Sequence, residues 1–447
     1  MEFGKLAEAN PWWQTREVPQ ALRGLDRPDY RLLLKSVSQK EVTIITGVRR
    51  SGKSTLMYQV IDNLLKAGVL AKQILFVNLE DPRLAGDSLD AIYEAYRSTL
   101  NPGLKTYVFL DEVHRREGWE SWVRRHYDTR SDCKFTVSGS CSYLLKREYS
   151  TLLTGRNLTF EVFPLTFTEY LAFKGLMVDA ESLGKGILLD RQKHEIIKAL
   201  GEYLQEGGFP DAFFKEAEFK RPLLMQYFDD IIYKDIVDRH DLNSRKARDL
   251  ALYLASNATA AVSLRGIRNT LGLSYESVKD YISYYTDAFL FFTLEHFSYS
   301  LKEQKTRPSK AYCIDNGLRN AVSFRFSRDE GKLAENLVYL SLRRAREDAY
   351  YWKGDGEVDF IVKNQDHTLS AINVTYADEI DERETRSLTE FKKTHKKTKD
   401  LAIITKNTEK KDGEITYTPL WKWLLTNRQT TTETRRSKPR QPTTTTG

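Results

Sequence analysis

The stretch VTIITGVRRSGKST, Val42 to Thr55, decides how the rest of this chain is read. A short run of strand type enters a loop that fits G-x-x-x-x-G-K-[ST], with Gly47, Gly52, Lys53 and Ser54 at the fixed places. The segment that follows, STLMYQVIDNLLKAG, has helical periodicity and stops at Gly68. Strand, glycine loop and helix in that order make a phosphate cradle. Glycines let the backbone turn its N–H groups toward a phosphate, and the helix offers its positive end. The expected nucleotide-binding residues are Gly47, Arg50, Ser51, Gly52, Lys53, Ser54 and Thr55, with ATP as the ligand. Lys53 supplies a point charge for the β- and γ-phosphates, and the Ser54 hydroxyl is placed to hold Mg²⁺.

Working outward, QILFVNLED and KTYVFLDEVH are apolar runs of strand length that end in carboxylates, and KFTVSGSCSYLL ends in small hydroxyl residues. SLDAIYEAYRSTL and WESWVRRHYDTR between them read as helices. Such alternation predicts an α/β fold, a parallel sheet with helices on both faces. Ligands gather at the carboxyl ends of its strands. Asp111 and Glu112 emerge at one such end. Asp111 is expected to hold Mg²⁺ through water, and Glu112 to orient or deprotonate the attacking water. The adjacent acid pair favours hydrolysis over transfer to a small-molecule acceptor. Ser140, or else Ser138, is placed to meet the γ-phosphate or the water. Arg156, in a turn after Gly155, is a candidate arginine finger within its own subunit or toward a neighbour's. The plain alternatives are that small residues let a strand turn, and that a turn arginine is merely solvated.

From about Arg191 the texture changes to successive helices: EIIKALGEYLQEG, PLLMQYFDDIIYKDIVDRH, RKARDLALYLASN. VSLRGIRNTLGLSYESVKDYISYYTDAFLFFTLEHF then reads as helix, tight turn, helix and strand, with Ser263 and Ser274 as N-caps and Gly272 closing the first helix. A polar loop with Lys302, Lys305, Arg307 and Lys310 leads to the strand AYCID. Two helices and a basic hairpin describe a winged helix-turn-helix. Phosphate or base contact falls to Arg245, Lys246, Arg248, Tyr275, Ser277, Lys279, Lys302, Lys305 and Arg307. Glu276 and Asp280 on the recognition helix oppose entry into a phosphate-lined groove and favour protein docking.

The series NPWW, GVRRSGKST, VFLDEVH, SGSCSYLL, LTGRNLTFEVFPLTFTEYL and GGFPDAF resembles the AAA-type ATPases abundant in archaea and some bacteria. The resemblance covers nearly the whole chain up to about Leu425. It implies a P-loop domain over residues 1–165, a helical lid or linker over 166–240 and a winged helix over 241–320. A restriction-endonuclease-like domain over 321–427 and a disordered basic tail over 428–447 complete the layout. Active nucleases of that fold use an acid on the first helix, an Asp on one strand and Glu-x-Lys on the next. Glu335 and Asp359 match the first two places, whereas Asn373 and Thr375 stand where Glu and Lys belong. The resemblance therefore implies a nuclease-like domain that does not cut.

Composition sets the outer limits. The chain has 447 residues, 40% of them hydrophobic and 12% aromatic, with a net charge of +7. That is a folded protein of several domains whose mild basic bias permits nucleic-acid contact. No apolar run approaches the roughly 20 residues that cross a bilayer. The first residues lack a basic-then-apolar signal pattern, which predicts a cytoplasmic protein without membrane attachment. Three cysteines without close spacing and seven scattered histidines form no ligand pattern. The expected function is Mg²⁺-dependent ATP hydrolysis that controls binding of double-stranded DNA. The competing expectation is a slow nucleotide switch directed at a protein partner.

Overall fold

The computed structural model describes residues 3–101, 103–129, 132–141, 153, 155–178, 189–323 and 329–426. The tail expected over 428–447 lies outside the described residues. Five strands form the first sheet: β1 (Val42–Thr46), β2 (Ile74–Asn78), β3 (Thr106–Asp111), β4 (Cys133–Gly139) and β5 (Asn157–Glu161). All neighbours run parallel in the order β2-β3-β4-β1-β5. The strands are continuous apolar runs because both faces are covered. Val42, Ile44, Val108, Leu110 and Val137 meet the helices Leu89–Thr99 and Trp119–Thr129. On the other face Ile45, Phe76, Phe109 and Phe160 meet the helix Lys53–Lys66 and Trp12. Beside β1 runs β5, a strand that the arginine-turn reading of this region missed.

The NPWW motif has a physical reason. β2 lies at the sheet edge, where unpaired backbone groups invite another chain. Asn10 mimics a strand there: its Nδ2 donates to the Phe76 carbonyl at 2.9 Å and its Oδ1 accepts from the Phe76 N–H at 2.7 Å. The indole N–H groups of Trp12 and Trp13 both donate to the Ile74 carbonyl, at 3.3 and 2.8 Å.

Beyond the sheet come the helices Asp190–Glu206, Ala217–Asp230 and Ser244–Ser256, then a small antiparallel sheet. That sheet orders β6 (Ala261–Val262), β8 (Ser309–Cys313) and β7 (Phe291–Leu294). The helices Leu264–Leu271 and Tyr275–Asp287 connect β6 to β7. Ser263 and Ser274 each cap a helix through the side-chain oxygen, and Gly272 ends the first at φ 63°. The basic loop differs from expectation. Residues Leu301–Thr306 form a helix, and Lys310 belongs to β8 with its side chain buried. It is no wing residue.

The last sheet orders β13 (Lys410–Asp412), β14 (Ile415–Pro419), β12 (Thr398–Thr405), β11 (Leu369–Thr375), β10 (Glu357–Lys363) and β9 (Asp348–Lys353). β9, β10 and β11 form an antiparallel meander, and β11, β12 and β14 run parallel. One face packs on the helix Glu382–Thr394 through Leu388 and Phe391. The other joins a continuous core that reaches from Val48 to Leu425 and includes the helix Glu330–Arg344.

The GGFP motif marks a junction. The Gly208 N–H donates to Asp315 Oδ2 at 2.7 Å, and the Gly208 carbonyl accepts from the Leu165 N–H at 2.7 Å. A Cβ on Gly207 would lie 2.1 Å from Asp315 Oδ1, and one on Gly317 would lie 1.9 Å from the Glu206 carbonyl oxygen. Only glycine lets these three segments touch.

Candidate functional site: a phosphate cradle closed from the far half of the chain

β4 stands between β1 and β3, with Thr46 opposite Gly139, so three carboxyl ends converge. The first brings the loop Gly47–Gly52, the second Asp111–Glu112 and the third Ser138–Ser140. Gly47 is required because a Cβ there would sit 2.0 Å from the Val162 carbonyl oxygen. Gly52 carries φ 94°, a left-handed turn that starts the helix Lys53–Lys66. The Lys53 ammonium donates to the carbonyls of Gly47 and Val48, both at 3.2 Å, and stands 3.7 Å from Glu112 Oε1. Ser54 Oγ donates to Asp111 Oδ2 at 2.6 Å. Ser138 donates to the other Asp111 oxygen and accepts the Glu112 N–H at 3.1 Å. Ser138 thus positions the acid pair, and Ser140 is left nearer the loop.

Burial, and then the charge of Glu112, push the Asp111 carboxyl up to about 6, against the two hydroxyls that stabilise its charged form. Glu112 adopts φ 55°, a left-handed backbone that costs a non-glycine residue about 1–3 kcal/mol. Its Oε2 lies 3.2 Å from His114 Nδ1, and neither atom completes a hydrogen bond. Burial pushes His114 down to about 3, so it is neutral near pH 7. A histidine dismissed as scattered therefore stands beside the candidate base. Only its spacing from Glu112 could have drawn notice.

These groups fit a nucleotide. Ser51 Oγ is fully buried without a hydrogen-bond partner, and Lys53 has only carbonyls and one distant carboxylate around it. The hydroxyl and carboxylate of Ser54 and Asp111 are hard oxygen donors that suit Mg²⁺. Arg50 (φ 67°) turns outward over the Tyr227 ring, 5.5 Å from its centroid. Thr55 follows in the helix Lys53–Lys66.

Other contacts were not anticipated. Arg27 and Glu169 form a bidentate pair at 3.0 and 2.6 Å, both side chains buried, while Arg27 Nη1 donates to the Ser51 carbonyl at 2.8 Å. That pair props the loop from beneath. Arg49 is clamped by Asp235, with Nε to Oδ2 at 3.1 Å and Nη2 to Oδ1 at 3.0 Å. Ser140 Oγ donates to the same Asp235 at 3.2 Å, and Arg239 Nη1 reaches Cys141 Sγ at 2.5 Å. Arg156 does not join them. Its carbonyl accepts from Val42 at the amino end of β1, and its side chain pairs with Asp128 at 3.2 Å. Five strand residues, roughly 15 Å, separate it from the loop. Within its own chain it is no finger.

Glu335 and Asp359 do meet, 25 and 49 residues in sequence from the group that joins them. That group is Lys310, whose ammonium lies 3.0 Å from Glu335, 2.7 Å from Glu357 and 3.3 Å from Asp359. Burial works against the charged lysine, but Asp359, Glu335 and Glu357 outweigh it and hold its pKa above the ordinary lysine value. Burial and then Asp359 push Glu335 up to about 7. Asn373 is inward and fixed: Nδ2 donates to Glu384 Oε2 at 2.8 Å and Ser387 Oγ at 3.0 Å.

The residues expected to touch DNA are dispersed and partly engaged. Lys305 pairs with Glu295, Arg307 with Glu303 at 3.4 Å and Arg248 with Asp229 at 2.8 Å. Lys246 and Lys302 are exposed, whereas Ser277 is half-buried with its hydroxyl 2.7 Å from that of Ser274. Exposed Tyr275 carries the Lys279 ammonium 4.6 Å from its ring centroid. Arg245 is exposed, 3.9 Å from Asp249. Among the described residues no helix is long and apolar enough to cross a membrane.

The strand order and the glycine-loop cradle define a P-loop NTPase domain, and residues 39–171 match the AAA domain family. Residues 197–329 and 330–423 match two domains of unknown function, DUF8612 and DUF4143. Over 416 residues the chain is 34% identical to the uncharacterized protein MJ1544 of Methanocaldococcus jannaschii, covering 86% of this chain and 88% of that one. The chain belongs to the family of AAA-domain proteins that includes MJ1544. An uncharacterized protein of Haemophilus influenzae is 29% identical over 395 residues, 85% of this chain and 94% of that one. Among solved structures, AMPPCP-bound DnaA from Aquifex aeolicus overlaps at TM-score 0.27 and 14% identity, covering 60% of this chain and 91% of that one. A DNA replication initiation factor overlaps at 0.26 and 15%, covering 58% and 88%. Overlaps this loose carry no weight.

Proposed function

We propose that the chain is a Mg²⁺-dependent ATPase whose nucleotide state controls what its C-terminal half binds. The observation that carries this is the convergence of Lys53, Ser54, Asp111 and Glu112 on one cleft, with Ser51 left unpartnered. ATP draws Lys53 from the loop carbonyls to its β- and γ-phosphates, which frees Glu112 from the ammonium. Glu112 then accepts the proton of the attacking water, with neutral His114 at its other oxygen. Ser138 keeps Asp111 and the Glu112 backbone in register. Ser54 and Asp111 would hold Mg²⁺, which when bound would neutralise charge on the phosphates.

Duplex DNA is the proposed target. A helix, a short strand, two capped helices and two further strands support a winged-helix reading of residues 244–313, with Tyr275, Lys279, Lys246, Arg245 and Lys302 as its open contacts. The helix-meander-helix-strand order of residues 330–405 supports a nuclease-like domain, and the lysine seated among its acids supports one that does not cut. A protein partner is the second reading, favoured by Glu276 and Asp280 and by the pairing of Lys305, Arg307 and Arg248. The test is steady-state ATP hydrolysis with and without duplex DNA, with Glu112→Gln as the blank. We expect a several-fold rise on adding DNA, and a loss of about 100-fold or more in the blank with ATP still bound. Hydrolysis indifferent to DNA moves the target to protein. Failure to bind ATP sinks both readings.

A further inference from the structure

Arg49 and Ser140 lie at the rim of the proposed phosphate site. Arg49 lies in the loop, two residues after Gly47, and Ser140 follows β4, whose Gly139 is paired with Thr46. Neither side chain waits in an open cleft. Both are taken by one carboxylate from far along the chain, Asp235, whose side chain is 0% exposed. Glu80 is the other acid on Arg49, at 3.3 Å, and it is more than a third exposed.

The backbone around Asp235 is unusual. Residues Ile231–Val237 form a π-helix between Ala217–Asp230 and Asp238–His240, inside what the sequence reads as one helix. Single π turns shift the register of a helix and recur where a side chain must be aimed. Here the shift aims Asp235 at the cradle, and the following turn sends Arg239 to Cys141. One segment thus makes three contacts with the rim of the phosphate site. The same segment packs on the helix Ser244–Ser256, to which Tyr285 is tied through the Ala247 carbonyl at 2.5 Å.

A carboxylate gripped by an arginine fork and a serine hydroxyl presents two anionic oxygens in the way a phosphoryl group does. We propose that Asp235 is a built-in stand-in for the γ-phosphate. In the empty chain it holds Arg49 and Ser140. ATP displaces it, because a phosphate beside the buried Asp235 carboxylate would set two like charges against each other, and the Ser140 hydroxyl has one proton to donate. ADP has no γ-phosphate and leaves it seated. Arg49, and not Arg156, is then the arginine that senses the γ-phosphate within the chain. Residues 231–240, once released, report ATP to the C-terminal half. The inference rests on the ATP reading above.

The experiment uses the full chain with Mg²⁺ and measures ADP and AMP-PNP affinity by calorimetry for the wild type and Asp235→Asn. The substitution keeps size and removes the competing charge. AMP-PNP is expected to bind about tenfold tighter to the variant, the gain for a latch closed about nine-tenths of the time, with ADP within twofold. In the wild type, hydrogen exchange over residues 231–240 is expected to speed up with AMP-PNP and not with ADP, a readout that stands even where the variant fails to fold. Equal changes for both nucleotides, weaker AMP-PNP binding, or exchange that AMP-PNP leaves alone would overturn the latch while nucleotide binding survives. If neither nucleotide binds the wild type, the ATP reading falls and takes the latch with it.

Discussion

Replacing Lys310 by Met removes one charge and almost no volume. The side chain is 3% exposed and contacts three carboxylates at 3.0, 2.7 and 3.3 Å. At an effective dielectric of about 20, each such contact is worth roughly 5 kcal/mol before the cost of desolvation is subtracted. Breaking a buried ion pair by removing one partner costs about 3–5 kcal/mol, and that is the loss expected at pH 8. The pH dependence follows from Glu335, pushed up to about 7 by burial and by Asp359. A raised carboxyl favours the fold below its ordinary pKa and loses that contribution as pH climbs through the folded value. Lys310 is a cation that holds Glu335 down, so its removal lifts the folded pKa further. The variant should recover part of its stability at pH 5.5, where the orphaned acids take up protons. Urea denaturation read by tryptophan fluorescence, with hydrogen exchange of the β10 and β11 amides as a local probe, measures both effects. A loss under about 1 kcal/mol at pH 8, or one that grows toward low pH, would refute the account of Lys310 as the charge that holds β8 to the last sheet.

Arg27→Met leaves Glu169 buried without its counter-charge, with only the Thr166 N–H still donating to it, so a loss of about 3–5 kcal/mol is expected, part of it regained when Glu169→Leu is added; urea midpoints of both variants decide this. Gly317→Ala forces a Cβ to within 1.9 Å of the Glu206 carbonyl oxygen. It should cost about 1–3 kcal/mol in thermal unfolding, and a neutral result would mean that the junction yields.

Much of the nucleotide site was legible because each residue type there answers a local demand. Gly47 and Gly52 must clear a backbone, Lys53 must reach phosphates, and Asp111 and Glu112 end a buried strand. The caps Ser263 and Ser274 were readable for the same reason, since capping is decided within four residues. What escaped was long-range pairing. Asp235 is 186 residues from Arg49 and looks like any helical acid. Lys310 sat among basic neighbours in a polar stretch, and only the pairing of β8 with β7 and β6 shows that it turns inward. β5 is short and follows directly on the Gly155–Arg156 turn, and the three-residue edge strand β13 is fully exposed, so neither carries a strong apolar pattern. The doubled arginine at positions 49 and 50 was one available hint. Two adjacent arginines in a phosphate loop have opposite environments here, one clamped by acids and one laid on a tyrosine.

The glycine junction restricts how this chain can move. The Glu206 carbonyl sits where a side chain at 317 would be, and Gly208 is bonded on one side to Leu165 and on the other to Asp315. Segments locked that closely cannot slide, because sliding by even one residue would drive backbone into backbone. They can rotate. A nucleotide-driven change that spans this junction would therefore turn about Gly207–Gly208 and not shear across it, as a hinge does.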